Sequence, residues 1–272
     1  MVEELFWELS LFPEVEAVAL GGSRAGRNYD EKSDYDVYVY CTGAISEESR
    51  EALLSRYCKT MEISNHFWEL EDNCTLKNDV DIDIIYRNLD DFINGISFVV
   101  DQGQAYNGYT TCMWHNLCHC KILYDKEKRL TDAQRKYKIP YPENLRQNII
   151  TQNMRLLRGS MPAYENQIKK AVERNDYVSI NHRVTEFMAS YFDVIFAINE
   201  MTHPGEKRLV ELCKEQCKYL PIDFEKNLNA LFQDMFTKPE HIAHDLDRII
   251  LRLEKVIERV EKKHAKEKKS SN

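Results

Sequence analysis

Two short acidic strands constrain this chain more than any other feature. In Asp34-Tyr35-Asp36-Val37-Tyr38-Val39-Tyr40-Cys41, strand alternation puts Asp34, Asp36, Tyr38 and Tyr40 on one face. Tyr35, Val37, Val39 and Cys41 fall on the other, as core. The segment Asp79-Val80-Asp81-Ile82-Asp83-Ile84-Ile85-Tyr86 repeats the pattern: Val80, Ile82, Ile84 and Tyr86 are apolar, and Asp79, Asp81 and Asp83 lie opposite. An acidic outer face on a half-solvated strand accounts for either segment alone. Side chains two apart on a strand start roughly 6.5–7 Å apart, so two carboxylates can converge on divalent ions about 3.5–4 Å apart. Without a cation such a cluster repels itself, and hard carboxylate oxygens suit Mg²⁺ or Mn²⁺.

What precedes these strands adds phosphate chemistry. Glu16-Ala17-Val18-Ala19-Leu20 reads as a strand that stops at Gly21-Gly22-Ser23-Arg24. A strand feeding a glycine turn and a short helix presents free backbone N–H groups, and glycine lets the backbone approach a triphosphate. The Ser23 hydroxyl adds a donor, and Arg24 and Arg27 are charge partners nearby. Gly-Gly-Ser alone is common turn chemistry. Followed by Ser33-Asp34-Tyr35-Asp36 and then Asp83, it falls in the order that one catalytic sheet needs, and points to transfer from a nucleoside triphosphate.

Gly22-Ser23, Ser33-Asp34-Tyr35-Asp36 and a later strand carboxylate resemble the DNA polymerase β-like nucleotidyltransferase superfamily. The resemblance implies an α+β fold, an N-terminal mixed sheet with flanking helices followed by an all-α helical bundle domain. In plan the chain is similar to the streptomycin/spectinomycin adenylyltransferases. Asp83-Ile84-Ile85-Tyr86-Arg87-Asn88-Leu89-Asp90, Gly108-Tyr109-Thr110-Thr111 and His203-Pro204-Gly205-Glu206-Lys207-Arg208 look closer still to bacterial proteins with a DUF4037-type C-terminal region. By this resemblance Asp34, Asp36 and Asp83 are the catalytic metal ligands. Asp81 is a supporting carboxylate or the general base. Gly22, Ser23 and Arg24 contact the nucleotide; Gly26-Arg27 departs from the Arg-Gly of relatives, which leaves Arg27 without an assigned role. The implied reaction is Mg²⁺- or Mn²⁺-dependent movement of a nucleoside monophosphate, AMP from ATP, onto a hydroxyl of a small acceptor such as an aminoglycoside-like antibiotic. The alternatives are a protein acceptor, or a nucleotide-binding regulatory module with little turnover.

Composition sets bounds. The 272 residues are 43% hydrophobic and 30% charged, with a net charge of −8, as expected of a soluble protein with real cores. No basic block precedes the extreme C-terminus, which disfavours generic nucleic-acid binding. No apolar run reaches the ~20 residues of a membrane span. The acidic Met1-Val2-Glu3-Glu4 start lacks signal-peptide character, so the expected location is cytoplasmic. The eight cysteines are expected to be free thiols there.

The pattern divides the chain into a nucleotidyltransferase domain over 1–130 and a helical domain over 131–272. Strands are expected near 15–20, 34–41, 79–86 and 121–125, and helices over 46–57 and 89–99. The stretch 130–142 reads as a boundary. Helices follow over 144–158, 164–173, 177–200 and about 240–262. Asp193 sits in the apolar run Phe187–Ile198, where a buried carboxylate needs a partner, and a hydrogen bond to a neighbouring helix supplies one. Lys207 and Arg208 lead into a helix, either as ordinary helix-start residues or as contacts reaching a triphosphate across an interdomain cleft. The tail Lys262-Lys263-His264-Ala265-Lys266-Glu267-Lys268-Lys269 reads as a frayed, solvated terminus rather than a nucleic-acid arm. Cys112, His115 and His119 share a helical face but match no usual structural zinc spacing.

Overall fold

In the computed structural model, which describes residues 2–26, 33–67 and 69–270, the alternating strands form one six-stranded sheet. The first elements are α1 (Val2–Leu9), β1 (Val15–Leu20), the single turn α2 (Gly22–Ala25) and β2 (Tyr35–Cys41). They are followed by α3 (Glu47–Leu54), β3 (Cys58–Asn65), β4 (Leu70–Leu76), β5 (Asp81–Asn88) and α4 (Leu89–Val100). Then come α5 (Cys112–His119), β6 (Lys121–Asp125) and α6 (Arg129–Tyr137). The strand order is β3-β4-β5-β2-β1-β6. β2 and β5 run parallel, and the other pairs are antiparallel, so the sheet is mixed. Arg27 falls outside the described residues.

The apolar faces predict where the core sits. Val37, Val39, Ile82, Ile84 and Tyr86 pack with Leu5 and Leu9 of α1 and Leu53 and Leu54 of α3 in one buried cluster. α3 starts where the sequence places a cap: the Ser46 hydroxyl accepts a hydrogen bond from the Ser49 N–H at 3.2 Å. The hairpin β3–β4 has no counterpart among the expected elements. Its strands are polar, and the buried face of β4 carries Asp72. Asp72 is ion-paired to buried Arg50 and accepts from the Tyr86 hydroxyl at 2.9 Å and the Ser64 N–H at 2.9 Å. Hydrogen bonding in place of hydrophobicity makes this strand invisible to an apolar pattern. α6 occupies the stretch expected as a boundary, burying Leu130, Ala133 and Tyr137.

The chain divides into two compact units, residues 1–98 with 113–139 and residues 99–112 with 140–272. The second is all helical apart from its connecting segments: α7 (Glu143–Leu157), α8 (Tyr164–Glu173), α9 (Tyr177–Ile198), α10 (Leu209–Gln216), α11 (Phe224–Thr237) and α12 (Ile242–Ser270). α9 is its centre, with every residue from Ser190 to Ile198 buried, too many for a surface helix. α12 buries Leu246, Ile249, Ile250, Leu253, Val256 and Val260, one stripe at helical spacing. It continues through the tail expected to fray, because Val260 anchors the last apolar turn and Arg146, fully buried on α7, pairs with Glu261 at 2.8 Å. α10 is the helix expected after Arg208, whereas α11, which has no capping side chain, had no counterpart among the expected elements. No helix among the described residues is long and apolar enough to cross a membrane.

Candidate active site

The parallel register puts Asp36 of β2 directly beside Asp83 of β5. Asp34 stands one residue ahead of β2. The three carboxylates, each partly exposed, bring ligand oxygens within 4.8 Å of one another. Among the described residues no other group of three acidic, histidine or cysteine side chains comes together in this way. Asp81 shares the face but stands apart, exposed and held by the Thr75 hydroxyl at 2.9 Å.

The glycine turn is moulded to this cluster. Gly22 has φ +56°, and a Cβ there would lie 1.7 Å from Asp36 Oδ2. A Cβ on Gly21 would lie 2.2 Å from the Tyr38 ring. The Gly21 N–H donates to the Asp36 carbonyl at 2.8 Å, so the turn is tied to the strand that carries the acids. Gly22 and Ser23 are exposed and face solvent. Arg24 is drawn inward: its Nε donates to the carbonyls of Ser33 (2.7 Å) and Asp34 (3.1 Å), and its guanidinium lies 3.9 Å from the Tyr35 ring centre. It thereby fixes the backbone that presents Asp34.

The hairpin that sequence reasoning missed supplies the support. Asn73 lies opposite Asp83 in the ladder and donates to its Oδ1 at 2.7 Å; Asn65 donates to Asn73 at 2.7 Å. Ligand carboxylates are commonly oriented by such outer hydrogen bonds. Glu71, on the same face and 7% exposed, has its carboxyl pushed up by burial and then by the Asp83 charge. Arg87, held by both oxygens of Glu69 at 2.7 and 2.6 Å, stacks 4.3 Å from the Tyr38 ring centre. The only cue to this layer was polar residues at alternate positions of β4, which read equally well as a solvated strand.

In the second unit, Asp193 accepts from the Thr110 N–H (3.1 Å), the Thr110 hydroxyl (2.6 Å) and Asn153 (3.2 Å). Burial raises its carboxyl to about 7. It ties the segment around Thr110 to α7 and α9, a structural role. Cys112 Sγ lies 3.5 Å from His203 Nδ1, which also accepts from the Gly205 N–H at 3.2 Å. Burial holds that thiol up at about 12, far from a nucleophilic thiolate. Lys207 is exposed in the turn before α10, in the second unit.

No curated protein matches the sequence. Residues 109–209 match the family described as "Domain of unknown function (DUF4037)". By structure the chain is similar to a nucleotidyltransferase-like protein from Exiguobacterium sibiricum 255-15, at 12% identity and a TM-score of 0.43, covering 95% of this chain and 75% of that one. It is also similar to an aminoglycoside 6-adenyltransferase from Bacillus subtilis, at 11% identity and a TM-score of 0.29, covering 94% and 90%. A third similar structure is the CCA-adding enzyme of Thermotoga maritima, complexed with tRNA, at 12% identity and a TM-score of 0.30, covering 96% and 82%.

Proposed function

We propose that the protein is a Mg²⁺-dependent nucleotidyltransferase that moves AMP from ATP to a hydroxyl of a small acceptor. The observation that carries this reading is the convergence of Asp34, Asp36 and Asp83 beside a turn that only glycine can form. The donor set fits the ion: three oxygen ligands, no sulfur and no imidazole. When bound, the metal would neutralise phosphate charge and lower the barrier to attack at phosphorus.

The chain's own residues do the rest. Gly22 N–H and the Ser23 backbone and hydroxyl grip the β- and γ-phosphates. Asn73 holds Asp83 in place, and Arg24 holds Asp34. The acceptor oxygen bonds to the α-phosphorus as the bond to the β-phosphate bridge breaks, and pyrophosphate leaves. The hydroxyl proton passes to a carboxylate of the same face, where Glu71 and Asp81 stand. Positioning and charge stabilisation supply most of the rate. The net charge of −8 favours a cationic acceptor of the aminoglycoside type.

The test is pyrophosphate release from ATP, GTP, CTP and UTP with Mg²⁺ against a panel of hydroxylated small molecules. Acceptor-dependent release from ATP is expected, reduced by roughly a hundredfold or more in Asp36→Asn, the scale of losing one charge-stabilising group. No release with any nucleotide and acceptor, from protein that binds nucleotide, contradicts transfer.

A further inference from the structure

The second unit carries a basic groove that the first unit's chemistry does not use. Lys255, Arg259, Lys262 and Lys266 recur along α12 at spacings of four, three and four residues, which places them in one line on the helix. That line is about 16 Å long at the α-helical rise. With Lys263 and Glu258 they line a 420 Å³ groove, and all six are exposed. A second element joins them: Tyr219, after α10, has the Lys218, Arg259 and Lys263 cations 5.4, 5.6 and 5.6 Å from its ring centre. Lys263 donates to the Tyr219 hydroxyl at 2.8 Å. Four acids interleave with them on α12: Glu258, 3.7 Å from Lys262, Glu267, 3.4 Å from Lys263, Glu261, which pairs with Arg146 of α7, and Glu254. The Glu258–Lys262 and Glu267–Lys263 pairs are exposed, of the kind that contributes little.

Concentrating like charges along a helix costs self-repulsion, and an evenly spaced anionic repeat relieves it. Lysines dominate, which suits a repeat of point charges better than planar, two-pronged recognition. We infer that this groove binds a run of consecutive phosphates, as single-stranded nucleic acid or inorganic polyphosphate presents them. The net charge of −8, which argues against generic nucleic-acid binding, is an average; α12 departs from it locally. The inference stands apart from the reading of the first unit.

The experiment is fluorescence anisotropy of a labelled 12-nucleotide oligo-U with the full chain, in EDTA, between 50 and 200 mM KCl. Engagement of three or four phosphates predicts a log–log salt slope of roughly −2 to −3, an affinity loss of about twentyfold or more over that range. The Arg259→Gln/Lys262→Gln/Lys266→Gln protein should bind at least tenfold more weakly, with the slope reduced by about 2. The Arg155→Gln/Lys170→Gln/Arg174→Gln protein, which loses the same charge from other exposed positions, should bind as wild type. Unlabelled polyphosphate then separates the sources. Displacement at a lower phosphate concentration than unlabelled oligo-U makes polyphosphate the ligand, and weaker displacement makes it nucleic acid. No binding at 50 mM KCl, equal loss in both triple variants, or equal displacement by poly-glutamate overturns the inference.

Discussion

Asp193 and the cluster of Asp34, Asp36 and Asp83 are carboxylates handled in opposite ways. Asp193 is 1% exposed and receives three hydrogen bonds. The cluster is partly exposed and crowds three acids within 4.8 Å. A buried acid with its lone pairs satisfied rigidifies the fold. Acids gathered on neighbouring strands raise the energy of the folded chain unless a cation joins them. Under the proposed function the contrast is between an acid kept for structure and acids kept to hold a cation, and the following variants strain it from both sides.

The largest stability effect is expected at Asp193. Replacement by Ala strands the Thr110 and Asn153 donors and should cost about 3 kcal/mol, read by urea unfolding, while Mn²⁺ affinity stays as in wild type. The same residue sets a pH signature. Its folded pKa of about 7 lies above the unfolded value, so the native state binds the proton more tightly. Its contribution is full below about pH 4 and is lost as pH rises through 7. Wild type should therefore lose more thermal stability between pH 5 and pH 8 than Asp193→Asn does. Equal losses would show that the carboxyl does not titrate in this window.

A smaller stability effect, with a large functional one, is expected at Gly22. An alanine there must hold a left-handed φ of +56° and displace the Asp36 carboxylate. The strain costs about 1 kcal/mol, but the displaced ligand should abolish measurable pyrophosphate release. Asn73→Ala sharpens the contrast from the other side. It frees Asp83 without removing a ligand, so Mn²⁺ affinity should fall by about tenfold, the low end for outer-shell partners. Unchanged affinity would make Asn73 a strand residue with no part in the site.

How far the sequence revealed this follows the same divide. The acids of β2 and β5 were legible because their opposite faces are apolar, so alternation fixed which side each faced. Their convergence followed from the parallel pairing of Asp36 with Asp83. Asp193 was legible for the reverse reason, as a charge inside an unbroken apolar run. The β3–β4 hairpin was not, and with it went Asn73 and Glu71. Its inward Asp72 is stabilised by Arg50, Ser64 and Tyr86, partners up to 22 positions away in sequence that no local pattern links. Arg24 was read as a nucleotide contact from its place after Ser23; its bonds to the Ser33 and Asp34 carbonyls depend on how the chain returns to the sheet. α12 was legible as an apolar stripe, but the length of its basic line emerged only once the helix was seen to continue past Lys262.

The most direct test of the central distinction is Mn²⁺ binding, followed by electron paramagnetic resonance, on wild type, Asp36→Asn and Asp193→Asn. Saturable binding that strengthens with a non-hydrolysable ATP analogue is expected in wild type and Asp193→Asn, and its loss in Asp36→Asn. Undiminished binding in folded Asp36→Asn would contradict a cation site at Asp34, Asp36 and Asp83.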